Sequence, residues 1–167
     1  MSSHQTDYDK VREFTQQAGQ YCSPEPESMN RGEVEFLIRM CLSELQELAL
    51  TVTGSVDESV DMLRRCVGTI DKSEHAKLDT EDDVIAAQAD SLVDLYYYGL
   101  NAFSKKSVDI SEIFDTVHAS NMAKRDPKTL QFIKRDDGKI IKPDGWTAPD
   151  ITAIIRRQRA IARAQNE

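Results

Sequence analysis

Two acidic pairs stand in apolar stretches where helical periodicity asks for hydrophobic residues. Glu44 and Glu47 lie three apart in "VEFLIRMCLSELQELAL", residues 34–50, and Asp90 and Asp94 lie four apart in "VIAAQADSLVDLYYYGLNAF", residues 84–103. Both spacings put the two carboxylates of a pair on one face of a helix. In the first stretch Val34, Leu37, Cys41 and Leu48 step by three and four, and Glu44 takes the place the series reserves for an apolar residue. Burying an ionised carboxylate is costly unless a cation accompanies it. Two helices that each offer two carboxylates inward are one way to build a metal site in a helical bundle. Oxygen-only ligands favour Mg²⁺ or Mn²⁺ over Zn²⁺ or Cu²⁺. Neither pair contains a histidine, which disfavours a di-iron site. The competing account is structural: ion pairs to Arg39 or to Arg64 and Arg65, or carboxylates that simply face water.

A second group lies C-terminal. The stripe Ile110, Phe114, Val117 runs on into Asn121 and Lys124. Asparagine offers donors and an acceptor to a base edge or sugar hydroxyl, and lysine offers a compact charge to a phosphate. Between Lys124 and Lys142 there are seven basic residues and three acidic ones, in a chain of net charge −8. Gly138 and Gly145 allow tight turns, Pro143 and Pro149 stiffen the segment, and Trp146 can anchor it or stack on a base. A frayed, solvated helix end followed by an ordinary connecting loop is the alternative. His118, one turn before Asn121, is a supporting residue at most. The arginines 156, 157, 159 and 163 read as a solvated face or a subunit contact.

The elements that must position these groups are helical. The pattern predicts helices over about 6–19, 30–52, 56–70, 81–103, 109–125 and 150–164. Gly54 stops the second, and Thr80 with Asp83 resembles a capping box for the fourth. The fourth is apolar around most of its circumference and reads as central and buried. The expected architecture is an all-α bundle of five to six helices with a core four-helix arrangement, in one domain spanning 1–167. Within it, residues 1–28 form an N-terminal helix and loop, 126–149 a basic substrate-side loop, and 150–167 a C-terminal helix.

Composition bounds the function. The chain has 167 residues, 40% of them hydrophobic and 30% charged. Its acidic balance argues against nucleic acid or an anionic membrane as the main partner. No stretch approaches the ~18 apolar residues a membrane span needs. The N-terminus "MSSHQTDYDK" has no apolar core of a secretion signal. Cys22, Cys41 and Cys66 lack metal-ligand spacing. Cys41 and Cys66, on apolar stripes, read as reduced core residues of a cytoplasmic protein.

The succession of E-x-x-E, an acidic pair ending in aspartate, "HASNMAK" and "DGKIIKPDGWTAPD" resembles the all-α NTP pyrophosphatase superfamily over residues 33–155. The similarity is to its MazG-like and phosphoribosyl-ATP pyrophosphohydrolase-like group, including all-α dUTPase-like members. It implies Mg²⁺-dependent cleavage of a nucleoside triphosphate to a monophosphate and pyrophosphate. Glu44 and Glu47 match the first metal pair and are the catalytic candidates; Asp94 matches the closing aspartate. Several members carry a glutamate three residues before that aspartate, where this chain has Ser91, and Asp90 offers the acid instead. Asn121 and Lys124 match substrate-side residues, and Lys139 and Lys142 lie inside the similar "DGKIIKP". The motifs imply a pyrimidine deoxynucleotide such as dUTP or dCTP, and hence nucleotide-pool house-cleaning. Phosphoribosyl-ATP is the alternative substrate. A non-catalytic helical interaction protein is the alternative of another class. The excess apolar surface of the fourth helix, around "LYYYGL", together with the resemblance, leads to the expectation of at least a homodimer.

Overall fold

The computed structural model describes residues 5–70, 77–135 and 139–165. Among them are six α-helices and no strand: α1 (Asp7–Gln17), α2 (Arg31–Thr53), α3 (Val56–Val67), α4 (Glu81–Ser104), α5 (Ser111–Met122) and α6 (Ile151–Ala164). The all-helical expectation holds. "DKSEHA", residues 71–76, and the Asp136–Asp137–Gly138 portion of the basic segment lie outside the described residues.

Most helix starts follow local capping chemistry. Thr6 and Asp9 bond reciprocally at the start of α1, and Asn30 and Glu33 do the same for α2. Thr80 Oγ1 accepts from the Asp83 backbone while Asp83 accepts from the Thr80 backbone at 2.9 Å, the reciprocal box read in the sequence. Gly54, at φ 78°, ends α2 in the left-handed conformation and donates to the Leu50 carbonyl. Ser55 then caps α3, so the two helices form a tight αα-hairpin.

The chain divides into two compact units. Residues 25–92 form one, and residues 1–24 with 93–167 form the other. In the first, α2 packs on α3. The face of α2 that meets α3 lies beside the Val34–Leu37–Cys41–Leu48 stripe, of which the first three members are half-buried and Leu48 is exposed. It carries Gln46, whose amide donates to Ser59 Oγ at 2.8 Å, and Ala49, which is buried, as is Ser59. Small side chains there let the helices approach closely. Ahead of α2, the backbone of Met29 exchanges two hydrogen bonds with the Gln88 amide, and Ser28 donates to Glu81.

In the second unit α1 and α6 pack on α5. Lys10 pairs with Asp115 and lies over the Phe114 ring, and Phe14 meets Phe132 edge to face at 5.2 Å. The Gln158 amide exchanges two hydrogen bonds with the Asp109 backbone, and Arg157 pairs with Glu112.

Three expectations about burial are corrected. No residue of α4 is buried, and Val93, Leu95, Tyr97 and Tyr98 are each more than half exposed. On α2, Val34, Leu37 and Cys41 are only half-buried and Leu48 is 63% exposed, so the stripe bearing Glu44 is at most partly covered in the single chain. Cys41 is half-buried and Cys66 exposed, both as free thiols. Apolar periodicity shows which face seeks cover; it does not show that the same chain supplies the cover.

Candidate functional site

The end of α5 and the segment after it converge on Trp146. Val117, His118, Asn121 and Lys124 all remain half-buried, so the polar end of the stripe is not a frayed, solvated terminus. Lys124 Nζ donates to Asn121 Oδ1 at 2.7 Å. The indole Nε1 of Trp146 donates to the Ser120 carbonyl at 3.0 Å, pinning the loop to α5. Lys142 Nζ lies 4.3 Å from the Trp146 ring centroid and Lys124 Nζ 5.6 Å. Both ammonium groups therefore share one aromatic anchor.

Local backbone chemistry brings these residues together. Asp126 opens the loop by accepting from the backbones of Lys128 and Thr129 at 2.9 and 2.8 Å, which holds its carboxyl below the usual range. Ile141 then donates to the Ile133 carbonyl and Arg135 to the Lys139 carbonyl, so the chain doubles back on itself. Gly145, at φ 82°, completes a turn in which Trp146 donates to the Pro143 carbonyl. Only a residue free to adopt positive φ suits that third position. The result places Lys142 and Trp146 against the end of α5.

The cluster gathers like charge around Lys124. Burial lowers the Lys124 ammonium from its ordinary pKa, and the charges of Lys142 and Lys139 act in the same direction. The buried hydroxyl of Ser120 has no hydrogen-bond partner among the described residues. A lysine whose charge is made costly by two neighbouring lysines, next to a polar group with spare bonding capacity, forms a surface suited to an anion.

The chain has the fold of a solved protein. That crystal structure, described as a "putative NTP pyrophosphohydrolase" from Exiguobacterium sp. 255-15, superimposes with a TM-score of 0.75. The match is 21% identical and covers 97% of this chain and 98% of that chain. No protein-family model and no curated protein matches the sequence. The likeness is therefore one of fold, over nearly the whole length of both chains.

The four candidate metal ligands are placed as two helical pairs. Glu44 and Glu47 lie on α2, Asp90 and Asp94 on α4, and all four are exposed. Among the described residues no three His, Cys, Asp or Glu side chains gather as a ready metal cluster. Of the structural alternatives, carboxylates facing water match these exposures, and ion pairs do not. Arg64 pairs with Asp61, one turn away on its own helix, and none of the four carboxylates has an ion pair among the described residues. Ser91, at the position where the resembled family has glutamate, donates to the Ala87 carbonyl of its own helix. Each pair by itself offers the oxygen-only, anionic chemistry that a hard divalent cation takes, but the described residues do not gather the two pairs into one group. Mg²⁺ in particular keeps several waters and binds through one or two carboxylates plus substrate phosphates, so it does not require a closed protein cage.

Proposed function

We propose that the protein is a Mg²⁺-dependent nucleoside triphosphate pyrophosphohydrolase acting on a pyrimidine deoxynucleotide such as dUTP or dCTP. The observation that carries this is the convergence of Asn121, Lys124 and Lys142 around Trp146, with the charge of Lys139 acting on Lys124, into one cationic face of an acidic chain. The motif order and the solved protein of like fold point the same way.

In this scheme Lys124, Lys139 and Lys142 bind the phosphates and Asn121 bonds the nucleoside. Glu44, Glu47, Asp90 and Asp94 would hold Mg²⁺, with Mn²⁺ as a substitute. When bound, the metal neutralises phosphate charge and lowers the pKa of a water. Glu44 or Glu47 takes the proton of the attacking water. The water oxygen bonds to the α-phosphorus, the bond to the α,β-bridging oxygen breaks, and pyrophosphate leaves with that oxygen. The function this would serve is house-cleaning of the cytoplasmic nucleotide pool. Among the described residues no helix is long and apolar enough to cross a membrane.

A panel of canonical and modified NTPs and dNTPs, assayed for monophosphate and pyrophosphate with Mg²⁺, with Mn²⁺ and with chelator, tests the assignment. The expected result is metal-dependent pyrophosphate release, fastest with a pyrimidine deoxynucleotide. Preference for phosphoribosyl-ATP would move the substrate to that alternative. Absence of hydrolysis with any substrate would leave a non-catalytic helical interaction protein.

We further propose that the working form is at least a homodimer. Phe36, Ile38 and Leu48 on α2 and Leu95, Tyr97 and Tyr98 on α4 are each more than half exposed. Apolar surface of that extent on consecutive turns marks an interface. Sedimentation equilibrium at micromolar concentration is expected to give twice the chain mass or more; a stable monomer would refute it.

A further inference from the structure

We propose that the cleft between α1 and α5 receives the base ring of the nucleotide whose phosphates meet the lysine cluster. This rests on the functional assignment above and names the part of the chain that reads the base. Val11 and Phe14 from α1, and Phe114, Val117, His118 and Asn121 from α5, line a cavity of about 260 Å³. Its walls are apolar apart from His118 and Asn121. The volume is below the range of roughly 300–1,000 Å³ common for whole ligands. It suits one ring system between apolar side chains, with the charged part of the molecule left outside.

The direction of entry follows from Asn121. This residue lines the cleft and also accepts from Lys124 Nζ at 2.7 Å, so the cleft ends where the cations begin. Its amide orientation is dictated by that bond. A lysine ammonium has donors and no acceptor, so Oδ1 must face Lys124. Nδ2, with two N–H groups, then remains for a ligand acceptor, and a ring carbonyl of a pyrimidine supplies one. His118, one turn earlier, offers a second polar contact.

A larger cavity of about 450 Å³, lined by Thr6, Lys10, Tyr96, Ile110, Phe114 and Asp115 among others, is a poorer host. Its cation, Lys10, is already paired with Asp7 and Asp115 and has no charge to spare for phosphate. The cleft assignment gives selectivity to Val11 and Phe14, which lie outside the stretch that carries the motifs.

The test uses the full chain, pyrimidine and purine nucleoside 5′-monophosphates, and pyrophosphate, titrated by calorimetry, alongside the hydrolysis panel. Val11 is 50% exposed, so Val11→Phe adds bulk at the cleft without entering a packed core. The expected result is that this variant binds pyrimidine monophosphates at least roughly tenfold more weakly, while pyrophosphate binding is unchanged. Phe14→Leu, which keeps apolar bulk and loses the ring, is expected to weaken them less. If the parent hydrolyses triphosphates and Val11→Phe keeps both its base preference and its monophosphate affinity, the cleft assignment falls and the hydrolase assignment stands. If the parent hydrolyses nothing but binds monophosphates in a Val11-sensitive way, the reverse holds. If neither property is found, both fall.

Discussion

Glu47→Gln is expected to cut metal-dependent pyrophosphate release by roughly 100-fold or more, the scale on which one charge-stabilising group of an active site acts. The substitution keeps the side chain's shape and removes its charge. Glu47 is exposed and has no ion pair among the described residues, so stability of the metal-free protein should change by no more than about 0.5 kcal/mol, the usual span for surface substitutions. A ligand that binds only the folded state stabilises it, by about 2.7 kcal/mol at a hundred times its Kd. Mg²⁺ or Mn²⁺ should therefore raise the Tm of the parent, and chelator should reverse the rise. The shift should shrink in Glu47→Gln. Were the acidic pair structural, the mutation would lower metal-free stability by leaving a partner unpaired, and metal would move neither melt. Thermal melts of both proteins with and without metal decide it, and an equal metal response would remove Glu47 from the ligand set.

The pattern of legibility follows from what a sequence encodes locally. Helix ends were readable because they depend on near neighbours: Thr80 with Asp83 as a capping box, and Gly54 as a stop. Asn121, Lys124 and Lys142 stood out because a core stripe turned polar and ran into a basic loop, and the structure sets the three near one another. Trp146 was marked as an anchor, and the Ser120 carbonyl is what it holds. Burial was not readable. The stripe on α2 looked like core, yet Val34, Leu37 and Cys41 are only half-buried and Leu48 exposed, while the face in contact with α3 carries Ala49 and Gln46. That face is small and polar, and a helix-packing contact made by alanine and serine leaves little trace in hydrophobic periodicity. The apolar faces of α2 and α4 carry the stronger signal, and they are the surfaces left uncovered. The α1–α5 cleft was also invisible, because Val11 and Phe14 are ordinary members of a weakly amphipathic helix until α5 is set beside them.

Lys124→Met is the second change expected to have a large effect. Methionine keeps the length and apolar character of the stem but removes the charge beside Asn121 and Trp146. A hydrogen bond involving a charged group contributes about 1.5–3 kcal/mol, so kcat/KM should fall by roughly 10- to 100-fold. The pH dependence separates phosphate binding from a structural role. Burial and the neighbouring Lys142 and Lys139 hold the Lys124 pKa below the ordinary lysine value of 10.5. Between its lowered value and 10.5, the unfolded chain binds the proton and the folded chain does not. Stability of the metal-free parent should therefore rise with pH across that window, relative to Lys124→Met, because the cost of holding this charge in the cluster is relieved. Pyrophosphate reverses the preference, since an anion favours the protonated lysine. Affinity of the parent for pyrophosphate should then decline as pH rises through the lowered pKa, earlier than for an ordinary lysine, and Lys124→Met should lack that limb. Calorimetric titrations of both proteins from neutral pH upward measure it. An identical pH profile in the two proteins would show that Lys124 holds the loop in place and does not bind the phosphate.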